Sequence, residues 1–208
     1  LILTGKQHSD RMVQYVRASG IPVAELMDFG GQQLDIQVGF DNEKAAWDMT
    51  HAFLESGKRA IAFFGSMDDP RDLSRFHGTE LALAEHGLKA YHMAPKTISS
   101  VALGRLMFLQ MQQSRPDIDA IFCTNDDLAV GVLLECQAQG KAVPQEIAIA
   151  GFHGLEIGRA RLQKIASVIT PRYDIGKTAS EILIARLAGK DAPDSVNLAY
   201  QIYYGDTL

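Results

Sequence analysis

Residues 117–151 read DIDAIFCTNDDLAVGVLLECQAQGKAVPQEIAIAG, and this stretch decides the fold. It opens with a short apolar run, Ala120 to Cys123, of the kind that forms a strand buried on both faces. The polar turn Thr124-Asn125-Asp126-Asp127 follows at once. Leu128, Val130, Val132, Leu133 and Cys136 then recur at mixed i, i+3 and i+4 spacings up to Gly140, which predicts a helix with a glycine stop. Beyond the Pro144 turn a second apolar run, Ile147 to Ala150, predicts another strand. Together these make one βαβ unit. In an open parallel sheet, polar groups just past a strand's carboxyl end face the ligand crevice. Asn125 and Asp126 hold that place after the first strand, and Gly151-Phe152-His153-Gly154 holds it after the second. The stretch therefore predicts a small-molecule site as well as a fold class.

The alternation continues in both directions. Upstream, Leu1-Ile2-Leu3 reads as a buried strand, and Ser9 caps a helix to Gly20 with Met12, Val13 and Val16 on one face. Pro22 to Met27 and Ile36 to Phe40 read as strands, joined by a loop with the permissive Gly30 and Gly31. Asp41-Asn42 opens a helix whose stripe is Ala45, Ala46, Met49, Phe53 and Leu54; Trp47 lies off it and reads as a boundary packing residue. Arg59 to Phe64 is a strand, and residues 65–73 read as a polar loop rich in Asp. A helix is expected from about Ser74, carrying Phe76, Leu81 and Leu83. After a short strand to Met93, another helix carries Leu103, Leu106, Met107, Leu109 and Met111. Downstream, a short helix and the strand Ile165 to Ile169 precede Thr170-Pro171. A helix with Ile175, Ala179, Ile182, Leu183, Ala185 and Leu187 runs to Gly189, then one final alternating strand follows, Leu198 to Tyr204. Alternating strands and helices predict an α/β fold with parallel sheets covered on both faces.

The whole-chain numbers narrow the class. At 208 residues the chain can bury a sizeable core, as one large domain or two small lobes. A net charge of −5 argues against this segment holding nucleic acid by itself, because phosphate binding needs a basic face. Cys123 and Cys136 fall within expected elements, make no disulfide framework, and point to a reducing, cytoplasmic setting. No stretch approaches the ~20 apolar residues of a membrane helix. The phosphate loop, the dinucleotide fingerprint and the G-x-S-x-G elbow are absent. The histidines show no H-x-x-x-H spacing and the cysteines no C-x-x-C, so neither metal nor cofactor is expected. Asp126-Asp127 is more simply a cap beside a helix dipole than a catalytic pair. A binding module is expected, not an enzyme.

With these residues laid out, the chain resembles the effector-binding domain of the LacI/GalR family of bacterial repressors from end to end. The landmarks are Val38-Gly39-Phe40-Asp41-Asn42, Arg75 followed by Gly78, Thr124-Asn125-Asp126-Asp127-Leu128-Ala129, Gly140 with Val143-Pro144, and Ile149-Ala150-Gly151-Phe152. Thr170 and Pro171 ahead of Gly176 and Ala179 complete the set. The runs Gly151-Phe152-His153-Gly154 and Ala166-Ser167-Val168-Ile169-Thr170-Pro171-Arg172 look most like gluconate-operon repressors. The resemblance implies a two-lobed fold of the periplasmic-binding-protein type I class, with ligand held between lobes. Residues 1–39 with 171–195 would form the amino-terminal lobe, and 40–170 with 196–208 the other. It also implies a DNA-binding head, a hinge helix and a first strand and helix ahead of this stretch, operator DNA as partner of the whole protein, and a homodimer. A periplasmic sugar-binding protein of a transporter shares the fold and is the alternative.

The resemblance also nominates site residues. Arg75 matches an effector-contacting arginine, and a guanidinium fork suits a carboxylate or paired hydroxyls. Asn125 matches an asparagine contacting sugar hydroxyls, and its amide both donates and accepts. Asp126 either orients the turn or touches ligand. His153 stands where many relatives carry an aspartate, and Arg172 stands at a crossover where some carry an aromatic ring. Two potential cations in those places favour an anionic ligand, such as a sugar acid of the gluconate kind. Thr170, Ser99, Asp28 and Lys6 complete the expected ligand-binding set; Ser99 and Ser100 replace a stacking aromatic and suit an open-chain polyol.

Overall fold

The computed structural model describes every residue except 6–7, 32 and 67–68. In chain order the elements begin with β1 (Ile2–Leu3), α1 (Asp10–Ser19), β2 (Ala24–Leu26), β3 (Ile36–Gly39) and α2 (Asn42–Glu55). Next come β4 (Ile61–Phe64), α3 (Pro70–Ala84), β5 (Tyr91–Met93), α4 (Val101–Ser114), β6 (Ala120–Cys123) and α5 (Asp126–Ala138). The rest comprises β7 (Ala148–His153), α6 (Glu156–Arg159), β8 (Ala166–Ile169), α7 (Arg172–Leu187), β9 (Ser195–Asn197) and β10 (Gln201–Tyr203). The chain divides into two compact units, Leu1–Asn42 with Pro171–Tyr200 and Glu43–Thr170 with Gln201–Leu208. No described helix is long and apolar enough to cross a membrane.

The first unit is built on a parallel four-stranded sheet in the order β1-β2-β3-β9. Val23, Ala24, Ile36 and Val38 are buried, and α7 lies against β2 and β3 with Ile175, Ala179, Ile182 and Leu183 of the expected stripe inward, whereas Leu187 in its last turn is exposed. Helix α1 starts where Ser9 Oγ accepts the Met12 N–H and stops at left-handed Gly20, yet none of its residues is fully buried. The first strand also departs from expectation. Ile2 is half-exposed rather than buried, because β1 is an edge strand paired on one side only.

The second unit carries a six-stranded sheet in the order β10-β8-β7-β6-β4-β5, parallel except for β10 against β8. β4 and β6 are buried along their whole length, as their uninterrupted apolar runs require. Phe63 meets Phe122 edge-on with ring centroids 5.6 Å apart, and Phe53 and Phe152 extend the same aromatic layer. Helices α4 and α5 lie backbone against backbone. A Cβ on Gly104 would strike the Leu128 carbonyl, and one on Gly131 would strike the Val101 carbonyl.

Three expectations need correction here. Helix α3 begins at Pro70, not Ser74, because Asp69 accepts the Arg71 N–H as N-cap and proline at the first turn loses no hydrogen bond. Leu81, Leu106 and Leu109 point outward; the expected Leu83, Met107 and Met111 are inward, joined by Asp72, Arg75, Thr79 and Ala82 on α3 and by Gly104 and Phe108 on α4. Of the expected final strand, Leu198 to Tyr204, only Gln201–Tyr203 is extended, as β10, and β9 lies just ahead of that run. β9 pairs with β3 in the first sheet and β10 with β8 in the second, so the chain leaves one sheet and joins another across residues 198–200.

Candidate functional site

The strand order of the second unit reverses between β4 and β6: β5 lies on one side of β4, while β6, β7 and β8 follow on the other. Ligands of open α/β sheets bind outside the carboxyl ends of the strands at such a switch point. In this unit the end of β4 is Gly65-Ser66 and the end of β6 is Thr124-Asn125, joined where Thr124 N–H donates to Phe64 O at 2.8 Å.

Helix α3 supplies the charge. Its early start, fixed by Asp69, sets Asp72 and Arg75 one turn apart on the inward face. Asp69 itself is partly buried, which would raise its carboxyl pKa, but the Arg71 hydrogen bonds at 2.8, 3.0 and 2.7 Å outweigh this and hold it below the usual range. Arg75 is only 4% exposed. Its Nη1 donates to the Thr124 carbonyl at 2.9 Å and to Thr124 Oγ1 at 3.1 Å, and its guanidinium carbon sits 3.9 Å from the Phe152 ring centroid. Asp72 Oδ1 lies 3.6 Å from Nη1 and accepts the Thr124 hydroxyl, while Oδ2 accepts the Ser66 N–H at 2.8 Å. Burial pushes the Asp72 carboxyl above its ordinary pKa, against the lowering pull of Thr124, Ser66 and Arg75. Arg75 therefore bridges the ends of β6 and β7, and Asp72 those of β4 and β6.

The turns after β6, β7 and β8 add the rest. Asn125 Oδ1 caps α5 by accepting the Leu128 N–H at 3.1 Å, which leaves the amide's N–H₂ end as a donor beside the helix N-terminus. Asp126 is buried. Its Oδ1 accepts from Ser167 Oγ at 2.7 Å and its Oδ2 from the Leu155 N–H, so it ties α5 to β8 and to the turn after β7. Gly151 leaves the room this carboxylate needs, since a Cβ there would meet Asp126 Oδ1. His153 ends β7 with φ of 94°, a left-handed conformation uncommon for a residue with a side chain, and its ring meets Phe152 edge-on at 5.2 Å. Thr170 Oγ1 lies 3.5 Å from the His153 carbonyl.

Arg75, Asn125, Asp126, His153 and Thr170 thus gather at the carboxyl ends of the second sheet. Ser99 is half-buried just ahead of α4, whose cap is Ser100, accepting the Leu103 N–H at 3.1 Å. In the first unit, Asp28 follows β2 and is buried, its Oδ1 accepting from Asn42 Nδ2 and from the Phe29 N–H, both at 3.0 Å. Arg172 is the exposed first residue of α7. Lys6 lies outside the described residues. The sequence reading missed Asp72, Ser66 and Ser167, which hold the site together. The pair Asp69-Pro70, a cap followed by a first-turn proline, was the available signal for Asp72.

The second unit is thus a doubly wound sheet with a buried arginine at its switch point. Residues 50–208 match the family model described as a periplasmic binding protein-like domain. The chain is 47% identical over its whole length to the HTH-type transcriptional regulator IdnR of Escherichia coli K12 and 41% identical to GntR of the same strain, in each case spanning 63% of the relative's length. The crystal structure of the transcription regulator GntR from Chromobacterium violaceum superposes with a TM-score of 0.95 at 32% identity, covering 99% of this chain and 77% of that one. A LacI-family regulator from Silicibacter pomeroyi gives 0.93 at 34%, covering 99% of this chain and 63% of that one. The chain belongs to the LacI family of transcriptional regulators and carries its periplasmic-binding-protein-like domain.

Proposed function

We propose that the chain is the effector-sensing domain of a cytoplasmic LacI-type repressor whose ligand is a small sugar acid of the gluconate kind. The observation that carries this reading is Arg75, a buried guanidinium held by Asp72, Thr124 and Phe152 at the switch point of the second sheet. A planar fork suits a carboxylate, and its fixed geometry spares the ordering cost a mobile arginine would incur on binding. Asn125 Nδ2 and the Thr170 hydroxyl would serve a polyol chain, and His153, Arg172, Ser99, Asp28 and Lys6 are assigned to the same ligand. Asp126, bonded to Ser167 and Leu155, is given the part of orienting the turn. The relatives named as HTH-type transcriptional regulators support a repressor over a transport protein. In the whole protein, a homodimer on operator DNA, the effector acts by binding one conformation of the domain better than another; without that difference in affinity it would shift nothing.

Calorimetric titration of the purified protein with gluconate, 6-phosphogluconate and glucose tests the reading. Gluconate binding that weakens at least tenfold in Arg75→Lys and Arg172→Ala, with glucose silent, is the expected result. Lysine keeps the charge and loses the fork, so the first variant separates geometry from folding. Saturable glucose binding without gluconate binding would overturn the anionic assignment.

A further inference from the structure

We propose that His51, Glu85 and His86 form a site for a divalent transition-metal ion of the zinc class on the surface of the second unit. His51 projects from the last turns of α2, while Glu85 and His86 follow directly on α3. One ligand atom from each falls within 4.8 Å of the others, the only such trio among the described residues. The H-x-x-x-H and C-x-x-C spacings that argued against a metal could not show this, because the ligands come from two helices, 34 residues apart between His51 and Glu85.

The carboxylate is oriented from behind. Glu85 Oε1 accepts the Trp47 indole N–H at 2.8 Å, which turns Oε2 toward His51 Nε2 at 3.1 Å. The Trp47 ring lies 3.8 Å from the His51 ring and fixes its plane. Outer partners of this kind set ligand orientation in metal sites, and losing one typically costs about 10- to 100-fold in affinity. Glu85 is also the C-cap of α3, whose last turn holds no basic residue, so the negative pole of that helix adds to the attraction for a cation. Asp48 and Glu55 line an adjoining hollow of about 290 Å³ with Trp47 and His51. The nearby Lys44 is drawn aside, over the Trp47 ring at 4.3 Å and onto Asp48.

Two imidazoles and a carboxylate suit zinc, with water as the fourth ligand. Bond lengths of about 2.0–2.2 Å put neighbouring tetrahedral donors roughly 3.3 Å apart. Closing a spacing of up to 4.8 Å to that value asks for as much as about 1.5 Å of movement, chiefly from the exposed His86. The bound ion would clasp the end of α3, the helix carrying Asp72 and Arg75, onto α2. The histidine–carboxylate pairs His77 with Glu43 and His8 with Glu25 offer two ligands each, with no third among the described residues.

Tag-free protein titrated calorimetrically with ZnCl₂, and with CoCl₂ followed by its visible ligand-field bands, decides the matter. One ion per chain is expected, with tetrahedral Co²⁺ absorption. His51→Ala and His86→Ala should each weaken zinc at least tenfold, Trp47→Phe about tenfold, and His77→Ala not at all. Metal-free melting of each variant shows whether it is folded. Absence of saturable one-to-one binding up to millimolar zinc would overturn the site. So would undiminished binding in the folded double variant His51→Ala/His86→Ala.

Discussion

Gly131→Ala should destabilise the protein, although alanine is the better helix former. Gly131 lies within α5, and a Cβ there would collide with the Val101 carbonyl and stand 2.9 Å from Arg105 N and Gly104 Cα. All of these are backbone atoms of the facing helix α4 or its first turn, so no rotamer change relieves the clash. The helices must part by about an ångström, loosening Met107, Phe108 and Met111 of α4 against Leu128, Val132 and Leu133 of α5. Overpacking of this kind costs ~1–3 kcal/mol. Backbone on both sides puts this case at the upper end, and the propensity gain returns ~1 kcal/mol. The net is a loss of about 2 kcal/mol, or a fall in melting temperature of roughly 4–8 °C for a chain of this size. Gly176→Ala in α7 is the matched control. A Cβ there meets nothing within 4 Å, so the propensity term stands alone and stability should rise by about 0.5–1 kcal/mol. Urea unfolding of the two variants beside the parent gives both signs in one experiment. Combining Gly104→Ala with Gly131→Ala should cost less than the sum, because the helices have already parted. A Gly131→Ala protein as stable as the Gly176→Ala protein would refute the backbone-contact reasoning.

Two further predictions concern buried ionisable groups. Asp72 has its folded pKa raised, so the folded state holds that proton more tightly than the unfolded chain. Its contribution to stability is greatest below about 3.8 and declines as pH rises from there through the raised value. Asp69 is shifted the other way and contributes stability that grows with pH over the same region, so the difference between parent and Asp72→Asn urea midpoints isolates the Asp72 share. That difference should narrow as pH falls toward 4, and one that stays flat would count against the assignment. Cys123 and Cys136 are both buried, and burial pushes the Cys136 thiol up to about 12 and Cys123 well above its ordinary value. Because the thiolate is the nucleophile, a thiol-specific disulfide reagent at pH 8 should modify native protein roughly three orders of magnitude more slowly than unfolded protein. Equal rates would show that the thiols are accessible.

Most of the fold was legible because strand and helix periods are local. The runs Ala120–Cys123 and Ile61–Phe64 have no polar residue, which only a strand covered on both faces tolerates, and both are buried throughout. The caps Ser9 and Asn125 and the stops Gly20 and Gly140 are likewise written in single residues. What failed was non-local. Periodicity cannot say that β1 lies at a sheet edge, or that Leu106 and Leu109 face away from a neighbour that touches α4 through Gly104 instead. Nor can it see that the short strand just ahead of the alternating run Leu198 to Tyr204 belongs to a different sheet from the strand within it.

The candidate site shows the same division more sharply. Asn125 was readable from physics alone, since an asparagine between an apolar strand and an apolar helix caps that helix and stands at the crevice together. Arg75 was not. Taken by itself it reads as a solvated arginine near the start of a helix, and only the resemblance set it apart. The structure supplies the missing physical reason. An arginine stays charged, so burying one requires both a counter-charge and acceptors. Here the counter-charge comes from Asp72 one turn before, the acceptors from the end of β6, and the ring beneath it from β7. Those partners stand 49 and 77 positions away along the chain for Thr124 and Phe152, and the strand order alone brings them together. Burial of a cation at that cost, at the place where the sheet reverses, serves stability poorly compared with an apolar side chain of similar volume. The anionic effector proposed above is the reading that gives that cost a purpose.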